Sequence, residues 1–406
     1  GLPLEFHVKT HTAFEQQGLN ECFKMAQVCL DGATEKLRIV CSGQMNLNLE
    51  AAFAVVPLIT ESVKLCTELL HWTFDSATGT SQSHLGKAGN DKKSTNILIL
   101  PRAWASVLLP EGFLENISNL YVLLRQVYLQ LHSQSAVAAV GSTGSVFGAS
   151  CTQLTQGHAC MTELRVLLLS LSSLSGSHFY ADDEERVHFG TRIFTFVRPL
   201  LTQAISEESA AQRQGSNAYM LTELCSQESV SFSSIMLRLI GNFKLGICIR
   251  MPTFKAALEA VGQATFVLGQ TTATRAQANT TAILDGQAAS DDEYLLDSWQ
   301  GDVLMHLLDM LCMVLDDPLF VDSEQSLSSS AIECRETMRG MATQVFIQVF
   351  DCYLHTILWE AVANQEEEED DEEEGITSRT HDELLSAICT FGRIGISASL
   401  DYVISI

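Results

Sequence analysis

The chain has 406 residues, 46% of them hydrophobic and 18% charged, a balance that permits a large buried core and argues against disorder throughout. A formal charge of -25 argues against nucleic acid and anionic membrane as direct ligands, because both need a basic surface. Removing the longest acidic run still leaves -16, so the acidity is distributed and points to basic protein partners or simply to solubility.

Apolar residues recur at helical spacing along most of the chain, with no strand-like alternation of any length. Phe6, His7 and Thr10 lead to Phe14 on a first helix that Gly18 is expected to break, and Leu19, Phe23, Ala26 and Leu30 continue on a second. Residues 47–56 and 61–74 read as another pair around Pro57, followed by a Ser, Thr, Gly and Lys-rich loop at 75–96. A short helix is expected at 102–109. Phe113, Ile117, Leu120, Leu124, Val127 and Leu131 then set one apolar stripe about six turns long.

The Gly/Ser-rich tract 133–157 is expected to be a flexible insertion. Residues 160–174 resume a strongly apolar helix, Asp182, Asp183, Glu184 and Glu185 cap the next, and Pro199 predicts a kink within its partner, 187–205. Further helical patterns cover 219–224, 232–249 and 254–268, with breaks at Gly215 and Pro252 and a polar loop at 271–290. Leu296, Trp299, Val303, Leu307, Met310 and Val314 share one face, 342–362 and 382–391 follow, and an acidic inter-helix loop at 364–379 separates these last two. Successive helix pairs of about 40 to 50 residues have the period of HEAT-type arrays. The expected fold for 1–406 is therefore an all-α, HEAT-repeat (armadillo-like) solenoid whose concave surface binds other proteins.

Twelve cysteines occur without a C-x-x-C pair. Cys22, Cys29, Cys66, Cys160, Cys312, Cys334, Cys352 and Cys389 sit in apolar helical patterns as small hydrophobes, so free thiols and a reducing compartment are expected. No signal peptide is visible, and no apolar run reaches the length of about 18 residues that spans a bilayer. The N-x-S/T matches at Asn116 and Asn279 are then chance. An opening at Gly1 with no initiator Met reads as a fragment.

No catalytic or cofactor constellation emerges. The Gly86–Ser94 stretch has the composition of a phosphate loop without its spacing, Gly141, Gly144 and Gly148 lack the dinucleotide-binding order, and no His or Cys set has zinc spacing. His306 between Asp302 and Asp309 is a possible metal or acid-base cluster on paper, but its plainer reading is a histidine salt-linked on a surface helix. The carboxylates are more informative. Glu293 and Asp297 lie one turn apart and Asp302 and Asp309 two turns apart, and like charges at such spacing repel unless water or a cation sits between them. The run 366–374, which includes Glu366, Glu369, Asp370 and Glu374, is expected to be a solvated loop, with a loop that also contacts a basic partner as the second reading.

Several stretches in this order resemble a known family. Leu69-Leu70-His71-Trp72-Thr73-Phe74, a polar loop, and Pro101-Arg102-Ala103-Trp104-Ala105-Ser106-Val107-Leu108-Leu109 are similar to a succession found in the exportin four and exportin seven branch of importin-β-like transport receptors. The helix end Leu167 to Phe179, the segment Leu295-Leu296-Asp297-Ser298-Trp299, the helix from Gln344-Val345-Phe346 to Leu354, and the acidic insertion before Leu385 resemble later elements of that branch. The Trp299 helix and the acidic insertion favour the exportin four type.

The resemblance implies a non-enzymatic nuclear export receptor, without cofactor, that shuttles between nucleus and cytoplasm and passes the Phe-Gly repeats of nucleoporins. It further implies binding of Ran-GTP, mainly through repeats that precede the matched region. The implied cargo is basic protein such as a hypusine-bearing translation factor, whose long cationic side chain needs an acidic pocket. Glu293, Asp297, Asp302, Asp309 and Glu360 are the expected contributors, Asp297 alone from a motif position and the rest from helical spacing. The same periodicity also permits a HEAT scaffold subunit of a phosphatase or kinase complex.

Overall fold

A computed structural model of the chain describes residues 13–42, 49–71, 98, 100, 102–139, 145–174, 179–212 and 219–242, together with 299, 302, 303, 305–307 and 309. The chain divides into two compact units, Gly1–Ile193 and Phe194–Ile406. Among the described residues the regular structure is helical; the one extended pairing is an isolated bridge between Leu98 and Leu174.

A π-helical turn, Phe14–Gly18, runs directly into α1, Leu19–Ser42, and the backbone is helical at both Ala13 and Leu19. Gly18 therefore does not break the helix. It makes room instead: a Cβ there would lie 2.5 Å from Cδ2 of Phe14, so the ring folds over the bare glycine. Leu19, Phe23, Ala26, Leu30, Ala33 and Leu37 recur every third or fourth residue and are all buried, which is the stripe that holds α1 in the fold. Thr34, on the same side, returns its hydroxyl to the Leu30 carbonyl at 2.8 Å rather than leave it unpaired.

After the short α2, Leu49–Phe53, Pro57 stands in the first turn of α3, Val56–Leu70, where its missing N–H has no helical partner to lose. A single 3-10 turn, Arg102–Trp104, leads to α4, Ala105–Leu108. Trp104 is 1% exposed, and its ring meets that of Phe23 edge-on at 5.3 Å; Phe23 also lies 5.2 Å from Phe113 at the start of α5, Glu111–Ala139. The six-turn stripe from Phe113 to Leu131 is buried throughout, as its spacing predicts.

Most of the tract 133–157, expected as a flexible insertion, is helical where it is described, and 140–144 lie outside the described residues. Residues 133–139 complete α5, and 145–157 open α6, Ser145–Ser172. Small residues suggested a linker, but Gly157 is buried, and a Cβ on it would lie 3.2 Å from Phe53 Cε1 and 3.4 Å from Tyr128 Cδ2. Here the missing side chain lets α6 approach α2 and α5 closely. Farther along α6, buried Arg165 donates to the Tyr121 hydroxyl at 3.2 Å and to Thr162 Oγ1 at 2.9 Å.

Within the first unit the long helices pack in a ring: α1 on α3, α3 on α6, α6 on α5, and α5 on α1. An up-and-down four-helix bundle sets each helix beside its neighbours in the chain. In this ring the connection from α3 to α5 crosses a diagonal, so the chain builds one pair, α1 and α3, and lays a second, α5 and α6, against it. This arrangement is compatible with an α-solenoid.

The acidic cap expected before the next helix is present. Glu185 N–H donates to Asp182 Oδ1 at 2.8 Å, and Ala181 N–H donates to Glu185 Oε2 at 2.7 Å, a reciprocal cap on α7, Asp183–Gln212. This helix continues through Pro199. The patterns read separately at 219–224 and 232–249 are joined, since α8 spans Tyr219–Asn242. Its middle is polar in sequence, yet Cys225, Glu228 and Ser229 are buried there.

The thiols divide by burial. Desolvation pushes the Cys66 thiol up to about 12 and the Cys160 thiol up to about 11, whereas Cys29, expected as a core residue, is exposed together with Cys151. Brief maleimide labelling of the native chain is expected to modify Cys29 and Cys151 and to reach Cys66 and Cys160 only in denaturant. Peptide mapping by mass spectrometry reads the difference.

Candidate functional site

Of the carboxylates expected at a partner surface, Asp302 and Asp309 are among the described residues; Glu293, Asp297, Glu360, Glu366, Glu369, Asp370 and Glu374 lie outside them. Asp302 and Asp309 are exposed on a helical stretch whose Val303 and Leu307, one turn apart, are fully buried. Seven residues separate the two aspartates, about 10 Å along a helix axis. They thus flank a strip of outer surface while the opposite side of the same turn is anchored.

His306 departs from its expected place. Instead of a surface position with salt links, it is half-buried, with Nδ1 2.9 Å from Ser233 Oγ on α8. Ser233 is fully buried and its hydroxyl donates to the Val230 carbonyl at 3.0 Å, so the network assigns the proton of the second bond to His306 Nδ1. Burial holds the imidazole below its ordinary pKa, and Arg238 adds to this, while Asp302 and Asp309 pull in the opposite direction. Arg238 is itself held below its usual range by burial. Ser, His and Asp are the residue types of a hydrolytic triad. Ser233, however, is inaccessible and its proton is held by its own helix, so this pair ties the Asp302–Asp309 stretch to α8 rather than presenting a nucleophile.

The sign of the pH effect follows from the depressed pKa. Between the ordinary value of 6.5 and the lower folded value, the unfolded chain takes up a proton that the folded chain refuses. Stability contributed by neutral His306 is present above pH 6.5 and declines as pH falls below it. Urea midpoints taken between pH 7.5 and 5.5 are expected to fall, and His306→Gln to flatten the decline. A midpoint that rises with acid would reverse the assignment.

Ser233 was not visible as a site residue in the sequence, where it is one serine among Phe232, Ile235 and Met236; its only signal is a hydroxyl on an apolar face. Among the described residues no group of three or more His, Cys, Asp and Glu is arranged to hold a metal, and no helix is long and apolar enough to cross a membrane.

Comparison of the chain with family models, with curated proteins and with solved structures returns no match. Leu69, Leu70, Trp104, Val107, Leu108, Leu167, Leu168, Leu171 and Phe179 are all in the core. Those positions describe how helices pack.

Proposed function

We propose that the chain is a segment of a nuclear export receptor of the exportin four type, a HEAT-type array of stacked helix pairs that binds basic protein cargo together with Ran-GTP. The observation that carries this reading is the ring of α1, α3, α6 and α5. Its diagonal connection lays one helix pair on the next with α1 against α5 and α3 against α6, the packing that a repeat array uses to extend. Further support comes from Trp104, whose motif position coincides with the aromatic contact to Phe23.

On this reading the chemistry is recognition without catalysis and without a cofactor, with Phe-Gly nucleoporin repeats as transit partners. Exposed Asp302 and Asp309 supply negative potential on a turn pinned by Val303, Leu307 and the His306–Ser233 bond. A fixed pair of carboxylates suits an extended cationic side chain such as hypusine, since the protein side is ordered before binding. Because the resemblance puts the main Ran contacts in repeats outside the matched region, the test is capture of the full receptor that contains this segment by Ran loaded with GTP or with GDP, in the presence of hypusinated factor. GTP-dependent, cargo-enhanced capture is expected; equal capture with either nucleotide favours a scaffold of another kind.

A further inference from the structure

We propose that the outer face of α1 is a self-association surface, on which a second copy of this chain docks antiparallel about Gly32. Leu19, Phe23, Ala26, Leu30 and Leu37 face the core. On the opposite side of the helix stand Met25, Val28 and Ile39, at 70%, 69% and 60% exposure the most exposed large hydrophobic side chains of the described surface. Single exposed apolar residues are ordinary, but three along one line of one helix form a stripe that water covers at a cost.

Charge selects the occupant. The chain as a whole carries -25, yet α1 has Glu21, Asp31 and Glu35 against Lys24, Lys36 and Arg38 and so carries no net charge. Glu21 pairs with Lys24 and Glu35 with Arg38, each at 2.8 Å within the helix. A basic partner therefore gains little attraction on this face, while two copies, which repel one another over acidic surface, approach here with their charges already matched.

The pattern is also self-complementary, as a two-fold contact requires. Met25 and Ile39 lie seven residues on either side of Gly32, and Val28 and Lys36 lie four on either side. Two antiparallel helices crossing at Gly32 set Met25 against Ile39 of the partner subunit, and Val28 against the methylenes of Lys36 of the partner subunit. A Cβ at position 32 would meet no atom within 4 Å, so the backbone is open on this side and permits close approach. A stripe about 21 Å long is small beside a standard interface, and the association is accordingly weak and reversible.

The test is sedimentation velocity of the full chain from low micromolar to several hundred micromolar, at low and high salt. The expected result is a monomer–dimer equilibrium that tightens as salt screens the repulsion between acidic copies, and that weakens at least about tenfold on Val28→Lys. Gly32→Cys, in a background with Cys29 and Cys151 changed to Ser, is expected to oxidise to a covalent dimer, and Lys24→Cys in the same background is not. Circular dichroism checks that each variant keeps its helix. A chain that stays monomeric throughout, a dimer indifferent to Val28→Lys, or no preferential cross-link at position 32 overturns the proposal. None of these outcomes bears on the transport reading, which concerns other residues.

Discussion

Replacing Phe23 by alanine is expected to lower the unfolding free energy by about 3–5 kcal/mol, the range for a buried aromatic truncated in a core that cannot collapse around the gap. Phe23 is 0% exposed and touches Trp104 at 5.3 Å and Phe113 at 5.2 Å, so one side chain joins α1 to the turn before α4 and to the start of α5. The lost ring contacts add to the lost burial. Met25→Ala, two residues away and 70% exposed, is expected to change stability by less than about 0.5 kcal/mol. Urea unfolding of both variants gives the contrast. A loss below about 1 kcal/mol for Phe23→Ala would mean that α1 is not seated on the rest of the unit through this ring.

The second large effect is on binding. Reversing Asp302 and Asp309 together to lysine is expected to weaken a basic cargo about tenfold at low salt and to leave little difference at high salt. A single exposed ion pair contributes only about 0.2–1 kcal/mol, so two sites changed from attraction to repulsion reach roughly the 1.4 kcal/mol that tenfold requires. Both side chains are exposed while Val303 and Leu307 anchor the turn, and circular dichroism checks that the double variant keeps its helices. Interferometry with immobilised hypusinated factor measures the affinity. The parallel pair Glu293→Lys and Asp297→Lys tests the rest of the proposed surface; unchanged affinity in both double variants would remove these carboxylates from the site.

The helices were legible because their apolar residues follow the helical period without interruption. Phe113 to Leu131 is the clearest case, every stripe position being buried. Glycine misled in two places. Gly18 reads as a helix break and Gly157 as the end of a flexible tract, yet both are helical, one accommodating the Phe14 ring and the other allowing α6 close to Phe53 and Tyr128. Whether a glycine interrupts a helix or lets a neighbour approach depends on what lies opposite it, and single-chain periodicity does not contain that information. Exposed Cys29 belongs to the same class of error, since an apolar neighbourhood along the helix said nothing about which side was covered.

At the candidate site, that Asp302 and Asp309 share one helical face followed from their spacing. The role of His306 did not, because it depends on Ser233, a residue 73 positions away whose hydroxyl reaches it at 2.9 Å. A histidine flanked by carboxylates on its own helix reads as an ion pair until a second helix packs over it. Once buried, the neutral form is favoured and its nearest hydrogen-bond partner is uncharged.

The most direct test of transport-receptor recognition compares the affinity of the chain for hypusinated and for unmodified translation factor, each with and without Ran-GTP. The predicted result is tighter binding of the hypusinated form, a difference that shrinks as salt is raised, with further strengthening by Ran-GTP when the preceding repeats are joined to the chain. Equal affinity for the two forms, unaffected by Ran-GTP, would contradict it.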